Sequence, residues 1–267
     1  HFGSTIGLFI KNSFKLQMNA DIFIGCGVAA AISAGFNAPL AGIIFAHEAI
    51  LRHFSLRAIA PISVASFSAS AFGGYLFGNS PVLFDLTQHV PPLNEILPIL
   101  ILLGPIFAII TVCFMYALRT TNRFAARHER YKIFLPFIAA LVCGSVGVFL
   151  PEILGLGIGA INDLIAGNIS FTKVSMLLIA KISMTALCIG FGLFGGIFSP
   201  ALFIGVSAGS LAAGFFAAIG YTDLTQVIVI SGMAAVAAAV IGAPITSVLI
   251  VIELTGSYEY GVAAMVA

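Results

Sequence analysis

The chain has 267 residues, of which 60% are hydrophobic and only 8% charged, with a mean hydropathy of +1.15. A soluble domain carries about a quarter charged residues, so this composition excludes a soluble globular enzyme, a disordered chain and a basic nucleic-acid binder; the surface is built to face a lipid bilayer. Net charge is +1, from 11 Lys+Arg against 10 Asp+Glu, so no bulk attraction to polyanions exists and no nucleic-acid partner is expected.

The charge-free runs define the elements. They extend from Ile22 to the Glu48 region, Ala58 to Phe84, Ile96 to Leu118, Ile133 to Leu150, Ile182 to Thr222 and Leu224 to Ile252. A bilayer core takes roughly 20 apolar residues as helix, and several runs exceed one span. The long ones are broken at Gly35-Phe36-Asn37-Ala38-Pro39, Gly195-Gly196-Ile197-Phe198-Ser199-Pro200 and Gly242-Ala243-Pro244. Such punctuation ends and starts helices, and within a membrane broken helices survive only where protein buries them or they line a cavity. The pattern predicts an all-α integral membrane protein of many short, tilted and broken helices.

Arg119, Arg123, Arg127, Arg130 and Lys132 crowd one connection, read as a loop over 119–132, whereas the stretch from Asn79 to Glu95 holds Asp85, His89 and Glu95 but no Lys or Arg. The positive-inside rule places the 119–132 loop on the cytoplasmic side. Arg52 and Arg57, two spans back, fall on the same side. The four cysteines (Cys26, Cys113, Cys143, Cys188) lie in apolar runs without CxxC spacing and indicate neither a metal nor a redox cofactor.

Residues 27–48 and 232–253 superpose at a constant offset that sets Pro39 on Pro244. Gly27 meets Gly232, Ala38-Pro39 meets Ala243-Pro244, and Glu48 meets Glu253. Paired Pro-interrupted segments in two halves point to a transporter-type repeat with a site near the midplane. Residues 1–90 read as the C-terminal part of a first repeat and 91–267 as most of a second, together one incomplete membrane domain. The counterpart of Gly195–Pro200 would fall before residue 1, and the chain starts at His1 and stops at Ala267 inside an apolar segment, so a fragment is expected.

The Gly195–Pro200 loop carries the chemistry. Ser199 suits an N-cap and Pro200 the first helical position, which predicts a helix starting near Pro200. The amides of Ile197, Phe198 and Ser199 then face low dielectric at a positive dipole end with no carboxylate to neutralise them, a geometry that binds an anion. Partial charges hold it weakly enough to let it leave, and Gly195 and Gly196 let the backbone approach closely. Downstream, Ala201, Gly205, Gly209 and Ala213 form a small-residue stripe for close helix packing. The same stretch holds a formal GxSxG at Gly205–Gly209, which would make Ser207 the nucleophile of an intramembrane hydrolase; no histidine follows His128, and the packing reading is preferred. His47-Glu48 starts an HExxH pattern, but position 51 is Leu, so no zinc site is expected. Gly155–Gly159 reads as a flexible turn at the membrane edge. Lys181 is expected to snorkel. The intramembrane carboxylates Glu48 and Glu253 are functional candidates by default, but their equivalent places in the two copies favour a shared structural job such as capping neighbouring helix amides.

Taken together, the loop, the Ala-Pro repeat and the order of segments resemble the CLC chloride channel and chloride/proton antiporter family over essentially the whole chain. Gly196-Ile197-Phe198-Ser199-Pro200 matches that family's Gly-x-Phe-x-Pro signature, Gly35 to Glu48 is similar to the segment after its Gly-Arg/Lys-Glu-Gly-Pro signature, and Ala243 to Glu253 is similar to the segment near its end. The resemblance implies two inverted-topology repeats and a homodimer in a bacterial-type inner or plasma membrane, with one pore per subunit and interface regions around 38–78 and 243–267. It implies chloride as the transported ligand without a further cofactor. The Ile197 and Phe198 amides become anion ligands, with Ser199 flanking the outer site. The family's central serine and gating glutamate would precede His1, and its pore tyrosine would follow Ala267. Proton-coupled members carry two adjacent glutamates where this chain has Glu48-Ala49. Alanine carries no proton, so the resemblance leans toward an uncoupled channel, with an exchanger using another proton route as the alternative.

Overall fold

The computed structural model describes residues 2–15, 17, 19–77, 86 and 91–267. Asp85 and His89 of the expected non-basic stretch lie outside them. The helices are α1 (Phe2–Ser13), α2 (Ala20–Phe36), α3 (Pro39–Phe45), which runs on as a π-helical segment (Ala46–Leu51), α4 (Leu56–Phe77), α5 (Leu93–Arg127), α6 (Leu135–Phe149), α7 (Ile158–Ile165), α8 (Phe171–Gly190), α9 (Phe198–Ala218), α10 (Thr225–Ile241), α11 (Pro244–Thr255) and α12 (Tyr258–Val266). Among the described residues there is no strand, and five helices are long and apolar enough to cross a membrane.

The breaks fall where Gly and Pro place them. Asn37 ends α2 in the left-handed region at φ 51°, and Gly242 ends α10 the same way at φ 74°. Next come Ala38 (φ −124°, ψ 75°) and Ala243 (φ −131°, ψ 71°), near-identical caps that hand the chain to Pro39 and Pro244 at the first helical position. The sequence repeat is therefore also a repeat of backbone conformation. One element differs from expectation. Arg119, Arg123 and Arg127 do not lie in a loop but on the last turns of α5, which runs for 35 residues through Pro98 and Pro105. Their spacing of four, among Ala, Thr and Phe, puts the guanidinium groups on one helix face and gives nothing that ends a helix before His128.

The chain forms two compact units, one of His1–Phe84 with Gly242–Val262 and the other of Asp85–Ile241 with Ala263–Ala267. Division by repeat at residue 90 and division by compactness thus differ, because α11 sits with α3. In the first unit, α1 crosses α2 glycine against glycine: a Cβ on Gly3 or on Gly27 would overlap the other residue's carbonyl oxygen. Ala29, Ile43, Ala46, Ala58 and Ile62 form its core. A buried relay ties three helices together, Ser33 Oγ donating to Ser66 O (2.6 Å) and Ser66 Oγ to Pro39 O (2.8 Å).

In the second unit the small-residue stripe of α9 packs on α10. A Cβ on Gly205 would overlap Gly232 O, and one on Gly209 would lie 2.6 Å from Val229 Cα, so the backbones touch. Ala201 through Gly209 are all buried. Nearby, α5 and α8 meet where Thr121 Oγ1 donates to Ala186 O (2.7 Å) and Gly190 leaves room for the threonine.

Candidate functional site

The N-terminus of α9 starts two residues earlier than expected. Ile197 (φ −87°, ψ −12°) is the cap, Phe198 is the first helical residue, and the Ala201 N–H closes the first turn on Ile197 O at 3.0 Å. Ser199 and Pro200 therefore sit inside the first turn. Proline's missing N–H is tolerated throughout that turn, so it marks the turn and not one position within it. Ser199 makes no cap bond; its Oγ donates to Leu156 O at 3.5 Å. The amides of Ile197, Phe198 and Ser199 still head a 21-residue helix. Gly195 and Gly196 are exposed, and neither needs to be glycine for the fold. Neither has a positive φ, a Cβ on Gly196 would meet nothing within 4 Å, and one on Gly195 would reach only Ile189 Cγ1 at 4.0 Å.

Behind this helix end lies a turn that the glycines do shape. Gly155 (φ 61°) and Gly157 (φ 69°) adopt the left-handed conformation, and a Cβ on Gly157 would strike the Phe203 ring. The turn is not a free membrane edge, because Lys181 holds it. Its Nζ donates to Ile153 O (2.8 Å) and Gly155 O (3.2 Å) and stands 4.7 Å from the Phe203 ring centroid. Lys181 is 3% exposed, so it does not snorkel; two carbonyls and an aromatic face within reach of its ammonium replace the solvent it would otherwise seek. The sequence carries no sign of this, since both acceptors are backbone atoms.

The two carboxylates form a reciprocal pair in the first unit. Glu253 accepts from the N–H of Leu40 (2.9 Å) and Ala41 (2.8 Å), the second and third residues of α3. Glu48 accepts from the N–H of Ile245 (3.1 Å) and Thr246 (2.8 Å), the equivalent residues of α11, and from Thr246 Oγ1 (2.7 Å). Each copy thus caps the positive end of the other's helix, and α3 and α11 lie antiparallel. Thr246 is the partner that sequence reading missed; its counterpart in the other copy is Ala41.

Ala49 lies half-buried in the π-helical segment beside Glu48. His47 is buried, with Nδ1 3.3 Å from His53 O and its ring stacked on Phe54, while His53 Nδ1 turns to Leu51 O; the two imidazoles do not converge on a metal. Among the described residues no cluster of His, Cys, Asp and Glu could hold one. Ser207 is fully buried in mid-helix and its Oγ has no hydrogen-bond partner. A nucleophile elbow needs an exposed serine on a sharp turn with a base beside it, and Ser207 has neither.

Helices broken at repeated Ala-Pro steps, closed by opposite carboxylates and containing a charge-free run that surrounds an amide-headed helix, define an all-helical integral membrane protein. Residues 1–267 match the family described as "Voltage gated chloride channel". The chain is 32% identical over 268 residues to the H(+)/Cl(-) exchange transporter ClcA of Vibrio vulnificus strain YJ016, a match covering 96% of this chain and 57% of that protein. It is 31% identical over 269 residues to the protein of that name from Yersinia pestis bv. Antiqua strain Angola, covering 96% of this chain and 56% of that one. The chain spans a little over half the length of these relatives. Among solved structures, a slow cyanobacterial Cl-/H+ antiporter superposes with TM-score 0.88 at 25% identity, covering 99% of this chain and 63% of the other. A CLC-type fluoride/proton antiporter superposes with TM-score 0.82 at 25% identity, covering 99% and 65%. The chain belongs to the voltage gated chloride channel family.

Proposed function

We propose that the protein moves a small monovalent anion, chloride in the first instance, across a membrane, and that the anion rests on the amides of Ile197 and Phe198 with Ser199 beside it. The observation that carries the reading is the head of α9: a 21-residue helix starts in a run, Ile182 to Thr222, without a charged side chain. Open space lies over Gly195 and Gly196, whose lack of a side chain the fold does not demand. Amides and a helix dipole attract an anion strongly enough to strip part of its water, yet weakly enough to release it. Relatives named as chloride exchangers support chloride as the cargo.

Ala49 offers no titratable group, which favours uncoupled conduction; the names of the relatives favour proton-coupled exchange. The protein works as a homodimer through faces around 38–78 and 243–267, with the basic end of α5 in the cytoplasm. It has no nucleic-acid partner, no cofactor and no enzymatic activity. Two measurements on the full-length protein test the anion ligand and the coupling. Phe198→Pro deletes one amide and should weaken chloride binding by tenfold or more, the worth of about one charge-assisted hydrogen bond, while Phe198→Leu keeps the amide and the affinity; equal binding by both removes the assigned ligand. In liposomes, chloride efflux without proton uptake is the expected result, and stoichiometric proton uptake would replace the channel with the exchanger.

A further inference from the structure

Lys181 has a chemical anomaly. It is 3% exposed in the middle of α8, and what its ammonium touches is neutral: Ile153 O, Gly155 O and the face of Phe203. Among the described residues no carboxylate pairs with it, and Glu152, next to the first of those carbonyls, is engaged by Lys173. A buried cation without a counter-ion is costly in a protein core and more so in a membrane. Two carbonyls and a ring orient the ammonium without cancelling its charge, so its field still acts on an anion nearby.

The surroundings indicate where that visitor sits. Phe203 belongs to α9, five residues after Phe198, which is about 7 Å of helix. The turn held by Lys181 continues into Leu156, whose carbonyl accepts the Ser199 hydroxyl in the first turn of α9. Charge and turn both lead to the same helix end, and the run from Ile182 to Thr222 places no other charge there. We infer that Lys181 is a positioning residue of the anion site at the head of α9, a fixed positive charge one layer behind the amides that raises occupancy by a monovalent anion while pinning the turn that holds Ser199. This rests on the anion reading of α9 given above. The arrangement separates two tasks. An ammonium in contact with the anion would trap it, whereas one held back by carbonyls and a ring acts only through its field. At about 10 Å and an effective dielectric near 20, two unit charges interact by an amount equivalent to about five- to twentyfold in affinity.

Calorimetric titration of the purified full-length protein with chloride and bromide tests this on wild type, Lys181→Met, Lys181→Gln and Lys181→Arg. The neutral variants should lose about five- to twentyfold in halide affinity, and Lys181→Arg should stay within about twofold of wild type because it restores charge. Where Lys181→Met does not fold, Lys181→Gln is read in its place. A folded neutral variant that binds halide like wild type overturns the inference, as does an arginine variant as weak as the neutral ones, which would make the residue a tie for the turn and nothing more. A wild-type protein that binds no halide overturns the anion reading itself, and this inference with it.

Discussion

Truncating Glu48 is the sharpest test of the paired caps. In Glu48→Ala, Thr246 loses two hydrogen bonds at once. Its N–H bond of 2.8 Å and its hydroxyl bond of 2.7 Å both end on one carboxylate oxygen, and the residue is fully buried, so water does not replace them. An unsatisfied buried polar group costs about 1–3 kcal/mol, and loss of the charge at the head of α11 adds several tenths more. We expect Glu48→Ala to destabilise by about 3–5 kcal/mol. Glu253→Ala breaks only two bonds, both to backbone amides and neither to a side-chain hydroxyl; about 2–3 kcal/mol is expected. Thr246→Val, which removes the hydroxyl alone, should cost about 1 kcal/mol and account for much of the gap between the two glutamates. The assay is equilibrium unfolding of the full-length protein in mixed micelles, followed by far-ultraviolet circular dichroism. An order in which Glu253→Ala is the worse variant, or a Glu48→Ala protein as stable as wild type, would refute the capping argument.

Three further outcomes are expected. Gly205→Val and Gly209→Val should yield no monodisperse protein in size-exclusion chromatography, because a Cβ at either site meets the α10 backbone, while Gly214→Ala, whose Cβ lies 3.6 Å from Phe171 Cδ2, should behave like wild type. Ser207→Ala should leave stability unchanged or raise it by up to about 1 kcal/mol, since its buried hydroxyl has no partner, and a fluorophosphonate probe should not label the wild-type serine; labelling would restore the hydrolase reading. Glu152 is held below the ordinary carboxylate range, chiefly by its hydrogen bond from Lys173. Its contribution to stability is therefore complete above the ordinary carboxylate pKa and lost as pH falls through the lowered folded value. Glu152→Gln should flatten that acid limb, by no more than about 1 kcal/mol because the pair is partly exposed.

What could be read from the residues was whatever local chemistry decides. Pro39 and Pro244 after Ala, with Asn37 and Gly242 able to turn left-handed, have few other conformations open to them, so the helix ends and the repeat stood out in the letters themselves. Charge scarcity marked the spans for the same reason. Three details were decided by groups that a sequence does not display. The start of α9 moved to Phe198 because Ile197 O accepts a bond that any residue could have made. Lys181 stayed inside because two carbonyls from a turn 26 and 28 residues away came to meet it. The basic residues after Leu118 read as a loop because charge and loop go together at membrane surfaces, yet the helix extends beyond its apolar stretch to Arg127.

The reciprocal caps also set a timetable. The amides of Leu40 and Ala41 are synthesised well before the carboxylate that satisfies them, which lies 213 residues after Leu40. At roughly 5–20 residues per second, the head of α3 waits about 10–40 seconds for Glu253. Throughout that interval the head of α3 must be held by water or by the insertion machinery, so α3 waits as part of an unfinished assembly. A chain interrupted before Glu253 exposes that open end to quality control, and defects in either glutamate should appear first as shortened lifetime during biogenesis, before any change in ion movement is visible.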